Sequence, residues 1–211
     1  KVNGINISFH PSGHILGSSQ IRFIFAEEKW LITGDFKLQE DETCKKYEIV
    51  KTDYLISECT FGLPIFKWDE TKKIAINISN WITNSPDKTS LLFCYSLGKA
   101  QRLLNEISKT NFEGNIYSHS SIHKMNDCYK QLGICIKDTI KIENKKKIDQ
   151  LKGDLILLPP SLSKGSYLKN FKNVQTAFAS GWMSIRALRN RSGYDKGFAI
   201  SDHADWDGIL D

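Results

Sequence analysis

The hydrophobic period of this chain changes once, near residue 60, and that change limits the fold more than any other feature. Before it, Ile5, Ile7 and Phe9 alternate with polar residues, and Ile21, Phe23 and Phe25 do so again. A period of two marks half-buried strands. The polar run Ala26–Lys29 joins the second of these to Trp30–Thr33, which ends at Gly34, so the segment reads as a hairpin. Tyr54–Ser57 is a further short strand. After residue 60 the period lengthens, and Ile74, Ile78, Trp81 and Ile82 share one helical face. Apolar strands at 90–95, 116–117, 155–158, 174–179 and 197–201 then follow, with helices at 97–109 and 121–132 between the first of them. Strands and helices in alternation predict a parallel layer and an α/β fold.

Composition narrows the class. Of 211 residues, 40% are hydrophobic and 25% charged, which excludes wholesale disorder. The length fits one or two domains of roughly 150 residues. Lys and Arg number 29 against 24 Asp and Glu, a formal charge of +5, which permits a polyanionic partner without requiring one. No apolar run approaches the roughly 18 residues of a membrane span. The cysteines (44, 59, 94, 128 and 135) are odd in number and form no C-x-x-C, so reduced thiols and a cytoplasmic location are expected. The charged run Glu143–Lys147 reads as a solvated loop. There is no initiator Met, and the closing ADWDGILD reads as the first turns of a helix. The chain is therefore expected to be cut at both ends.

Four polar clusters follow apolar strands: His10-Pro-Ser-Gly-His14, Gly34-Asp35, Ser57-Glu58-Cys59-Thr60-Phe61-Gly62 and Ser201-Asp202-His203-Ala204-Asp205. Strand ends are where such scaffolds carry reactive groups. Histidine and carboxylate suit zinc or manganese. Singly, each cluster is an ordinary turn or a structural histidine; the four together point to a site.

These residues resemble a family. HPSGHILGSSQIRF followed by WLITGDFK is similar to the third and fourth metal-binding motifs of the metallo-β-lactamase fold. SECTFGLPIFKW and ISDHADWDGIL resemble the first and second motifs of the beta-CASP nucleases. CYSLGKAQRLL, IYSHSSI and ASGWMSIRALRNR resemble the cap of their DNA ligase-associated exonuclease branch. The resemblance implies a partial αββα sandwich (1–60 and 195–211) with an inserted α/β cap (61–194) and an active site in the cleft between them. It implies a metal-dependent nuclease acting on DNA, with an RNA-processing nuclease or a non-catalytic nucleic-acid-binding module as alternatives. A DNA ligase or repair helicase would be the partner, and two divalent ions, zinc or else manganese, the cofactors. By the same resemblance His14 and Asp35 are metal ligands, His203 is the general acid, and Glu58 orients it. A histidine held by a carboxylate suits proton donation near neutral pH. Arg186, Arg189, Arg191 and His119 are the expected phosphate contacts, against a solvated face for the arginines and a loop cap for His119.

The sequence also departs from the family. No His-x-His-x-Asp-His occurs in it, nor the third cap motif. Two expected ligands remain, fewer than the three or four of ordinary zinc sites, so the isolated chain is expected to lack robust activity. Cys59 stands where relatives carry Ser and is expected to be a buried packing residue.

Overall fold

The computed structural model describes residues 4–142, 148, 150–163, 167–168, 171–191 and 193–211. The charged run Glu143–Lys147 lies outside them. The chain divides into two compact units, Lys1–Lys67 with Asp202–Asp211, and Trp68–Ser201.

The first unit is built on four strands: β1 (Asn6–Pro11), β2 (Ser19–Phe25), β3 (Glu28–Ile32) and β4 (Tyr54–Ile56). They lie in the order β1-β2-β3-β4, with the first two pairings antiparallel and the last parallel. The register Ile7↔Phe23↔Trp30↔Tyr54 sets an apolar row across all four strands. Phe23, Trp30 and Tyr54 stack along it, with ring centroids 6.0 and 4.2 Å apart. The neighbouring row is Phe9↔Ile21↔Ile32↔Ile56. The period of two has thus collected the apolar residues on one face, yet that face is open: Phe9 is 70% exposed and Ile56 51%.

The β2–β3 hairpin turns on Ala26 and Glu27, whose φ angles are +48° and +72°. Two central residues with positive φ define the turn that matches the twist of paired strands, and Asn-Gly is the pair that adopts it most readily. Here two ordinary residues carry the strain, each at a cost of about 1–2 kcal/mol.

The second unit contains α1 (Thr71–Thr83), β5 (Thr89–Phe93), α2 (Lys99–Ile107), β6 (Ile116–Ser118), α3 (Ser120–Gln131), β7 (Ile140–Lys141), β8 (Leu155–Leu158), β9 (Val174–Ala179), α4 (Arg186–Arg191) and β10 (Lys196–Phe198). Among the described residues its six strands run β10-β9-β5-β8-β6-β7, and every pairing is parallel. The structure is therefore α/β. Helices must carry the crossovers of a parallel sheet and cover its faces. Leu92, Leu155 and Leu157 pack with Ile78 of α1 and Leu103 of α2. Leu91, Phe93, Ile156 and Leu158 form a separate core on the other face. Arg102 of α2, 1% exposed, donates from Nη1 to the Ser201 carbonyl at 2.6 Å and from Nη2 to Thr71 Oγ1, holding the unit's last residue. The final helix, α5 (Trp206–Leu210), belongs to the first unit.

The units divide at 67/68 and 201/202. A contact beside each division ties the neighbouring residues to their own unit. Phe66 accepts from the Trp206 amide at 2.9 Å inside the first unit, and β10 pairs with β9 inside the second. Replacing Ala26 and Glu27 together by Asn and Gly should stabilise the chain by about 1 kcal/mol, read as a higher denaturation midpoint at unchanged m; an unchanged midpoint would mean the turn is unstrained.

Candidate metal-binding and catalytic site

Three segments that follow the first unit's strands, with the returning segment that begins at Asp202, bring His14, Asp35, Glu58 and His203 together. His14 follows β1 through Ser12 and Gly13. A Cβ on Gly13 would lie 2.2 Å from the Lys37 carbonyl, so only glycine permits this close approach, and its φ is +71°. The Lys37 amide donates to the Ser12 carbonyl at 3.1 Å, and its ammonium donates to the His14 carbonyl at 3.1 Å. Lys37 is paired with Asp41 at 2.6 Å, with the two side chains 1% and 5% exposed. Asp41 also accepts from the amide and hydroxyl of Thr43. A buried pair of this kind adds little net stability, but deleting one member would strand the other at about 3–5 kcal/mol. What the pair does here is fix the His14 turn.

The His14 ring is oriented from the last segment of the unit. Its Nδ1 lies 2.7 Å from the Asp202 carbonyl oxygen, so Nδ1 carries the proton and Nε2 the lone pair. Nε2 lies 3.7 Å from Asp35 Oδ2. Asp35 follows β3 through Thr33 and Gly34, the latter at φ +57°. His203 meets His14 edge to face, with ring centroids 4.8 Å apart. Phe61, buried, closes another side of the His203 ring at 5.7 Å.

Glu58, beyond β4, ties these segments together. Its Oε1 accepts from His203 Nδ1 at 2.9 Å and from the Phe36 amide at 3.1 Å, and Oε2 accepts from the Thr60 amide at 3.1 Å. The Ala204 amide in turn donates to the Phe36 carbonyl at 2.7 Å. Burial by itself would raise the pKa of this carboxyl. The hydrogen bonds from His203, Thr60 and Phe36, with the charge of His203, outweigh it and bring the value down to about 2. The carboxylate thus stays ionised and holds the Nδ1 proton of His203.

Ligand atoms of His14, Asp35 and His203 all lie within 4.8 Å of one another. Among the described residues these are the ones that could together hold a metal ion. The 3.7 Å between His14 Nε2 and Asp35 Oδ2 suits a borderline divalent cation such as zinc, whose bonds to imidazole and carboxylate measure about 2.0–2.2 Å. The backbone carbonyl on Nδ1 of His14 is the partner that metal-ligating histidines ordinarily have.

The other expected residues lie in the second unit. His119 is the N-cap of α3, accepting the Ser121 amide at Nδ1. Arg186, Arg189 and Arg191 sit on α4, all exposed. Cys59 is exposed and not buried, because the Thr60–Gly62 turn carries it outward against Gly62. Lys37 and Asp41 have no sequence signal of their own as site residues, whereas Phe61 lies in the Ser57–Gly62 cluster without a role of its own.

No family model matches the sequence. Over 207 residues, 97% of this chain, it is 28% identical to a "Probable DNA ligase" of Opitutus terrae, of which the match covers 20%. It is 32% identical over 106 residues, 48% of this chain, to cleavage and polyadenylation specificity factor subunit 3 of Dictyostelium discoideum. It is 30% identical over 112 residues, 49% of this chain, to endoribonuclease YSH1 of Yarrowia lipolytica. The chain is a homologue of both groups. These matches agree with the resemblance to metallo-β-lactamase beta-CASP nucleases carried by the motifs. The chain spans a fifth of the ligase's length and 13% of each of the other two. Among solved structures, a protein of unknown function from Enterococcus faecalis V583 shares the fold, with a TM-score of 0.63 at 12% identity, covering 97% of this chain and 54% of that one.

The depressed Glu58 pKa fixes a pH dependence. A carboxyl whose pKa is about 2 in the folded chain, against 4.5 ordinarily, contributes stability above pH 4.5 that is lost as pH falls from 4.5 through 2. The full contribution is at most about 3 kcal/mol. Glu58→Gln in the metal-free chain should lower stability at neutral pH and flatten the acid limb of the stability profile; parallel limbs for both proteins would contradict it.

Proposed function

We propose that this chain is the part of a metal-dependent nuclease that holds its proton donor and two of its metal ligands. In this reading the first unit belongs to a metallo-β-lactamase αββα sandwich and the second is the inserted beta-CASP cap. The observation that carries it is the meeting of Glu58, His203, His14 and Asp35 from four separate segments of the chain, with both histidine rings set by an acceptor on Nδ1. The open apolar face of the β1–β4 sheet supports the sandwich: two such faces, packed against each other, make the core of a two-sheet fold.

His14 and Asp35 would hold the metal. Bound there, divalent zinc or manganese would supply an activated water and polarise a phosphate oxygen. Glu58 keeps its charge and holds His203 by Nδ1, so that the imidazolium form, with a proton on each ring nitrogen, would give its Nε2 proton to the leaving oxygen. Phe61 shields one side of that ring from water.

DNA is the favoured substrate, because the ligase relative is matched over nearly the whole chain and the endoribonuclease over half of it. The same relative supports action beside a DNA ligase. No helix among the described residues is long and apolar enough to cross a membrane. All five cysteines are free thiols, which fits a reducing, cytoplasmic compartment.

The test is cleavage of end-labelled single-stranded DNA and RNA by a polypeptide joining this sequence to the family's His-x-His-x-Asp-His segment. Cleavage should require zinc or manganese, favour DNA, and fall about 10²–10⁴-fold in His203→Ala. Asp35→Asn should lower both metal content and rate. Rates within twofold of the parent in both variants would overturn the proposal, and faster cleavage of RNA would overturn its DNA preference.

A further inference from the structure

The formal charge of +5 hides a division. The second unit carries 21 Lys and Arg against 11 Asp and Glu, while the first carries 8 against 13. The basic charge therefore belongs to one unit, at a net +10. On that unit lies an open groove of about 570 Å³ beside α1 and β10. Asn77 and Asn80 of α1 and Asn84, its C-cap, line it, with Trp81, Arg189 and Lys196.

The three asparagines stand three and four residues apart, so they form one stripe along the helix. All three are exposed, while Ile74, Ile78 and Ile82 of the same helix are buried in the core. Asparagine is a poor helix former, and Asn77 and Asn80 inside the helix gain nothing for it, while Asn84 follows as its C-cap. Each carboxamide offers two donors and an acceptor with two lone pairs. That is the complement of an unpaired nucleobase edge. The stripe covers about 10 Å of helix axis, the length of about three stacked nucleotides at 3.4 Å each.

Arg189 and Lys196 supply the charge that a phosphate backbone needs, against one lining carboxylate, Asp69. Arg189 does not swing freely: a Cβ on Gly197 would lie 3.0 Å from its Cγ and 3.1 Å from its Cδ, so its stem rests on the glycine. Arg186 and Arg191 do not line the groove. Trp81 packs edge to face on Phe198 at 5.9 Å and is held in place at the groove wall.

We infer that this groove is a binding site for single-stranded nucleic acid, with the asparagine stripe reading base edges and Arg189 and Lys196 holding phosphates. The inference deepens the nuclease proposal by naming where and in what form the strand is held, and it rests on that reading. It needs no metal and no chemistry to test.

The experiment is fluorescence anisotropy of a labelled single-stranded DNA of about twelve nucleotides with the full 211-residue chain in a chelator, over a series of salt concentrations. Unlabelled duplex DNA and inorganic polyphosphate serve as competitors. Asn77→Ala/Asn80→Ala/Asn84→Ala should weaken binding about tenfold or more at an unchanged salt slope. Lys196→Ala should weaken it for every sequence and flatten the log–log slope by about one unit. Alanine is the better helix former, so the triple variant should melt no lower than the parent. Polyphosphate or duplex that displaces the strand as well as unlabelled single strand does would overturn base reading. Parent-like affinity in both variants would overturn the groove while leaving the nuclease proposal standing. No binding by the parent chain would count against the nucleic-acid reading itself.

Discussion

Three hydrogen bonds to one carboxylate hold the candidate site together. Glu58 accepts from His203, from the Phe36 amide next to Asp35, and from Thr60 in its own turn. Each donor lies on a segment that carries or adjoins a site residue. A carboxylate can accept from several donors at once, and only in its ionised form does it offer all of its lone pairs. This is why the depressed pKa and the geometry are one fact. The residues that fix the site also fix its protonation.

Around that centre the loops are held by the backbone as much as by side chains. Gly13 lets the His14 turn touch the Lys37 carbonyl, and the Lys37–Asp41 pair ties the same turn from below. The Asp202 carbonyl sets the His14 tautomer. A site made this way tolerates little change in the loops, although the loops themselves lie at strand ends and not in a core. The second unit follows another logic. Its sheet is buried on both faces, and its exposed residues carry the positive charge.

The sequence made the periodic parts of this fold legible. Ile7, Phe9, Ile21 and Phe23 alternate because one sheet face is apolar, and Leu155–Leu158 is continuous because both faces of its sheet are covered. Two elements left no such trace. β7 is two residues long, and α4 (RALRNR) has too few apolar residues to show a helical face. Glu58, His203, His14 and Asp35 were legible through motifs, since each sits in a short polar cluster after a strand. Lys37 and Asp41 were not: an i, i+4 ion pair looks like a solvated helix pair until its burial is known. Cys59 misled because a small residue type says nothing about which way a turn faces. The charge asymmetry was present in the residues, but a net charge reports a sum, and only the division into units separates +10 from −5.

The central claim is that Glu58 fixes the proton of His203 on Nδ1. Proton-detected ¹⁵N spectroscopy of the imidazoles in the metal-free chain, at an alkaline pH where the ring is neutral, tests it directly. The His203 ring should show a protonated Nδ1 and a lone pair on Nε2, and Glu58→Gln should shift the Nδ1 resonance. A neutral His203 carrying its proton on Nε2 would contradict the account.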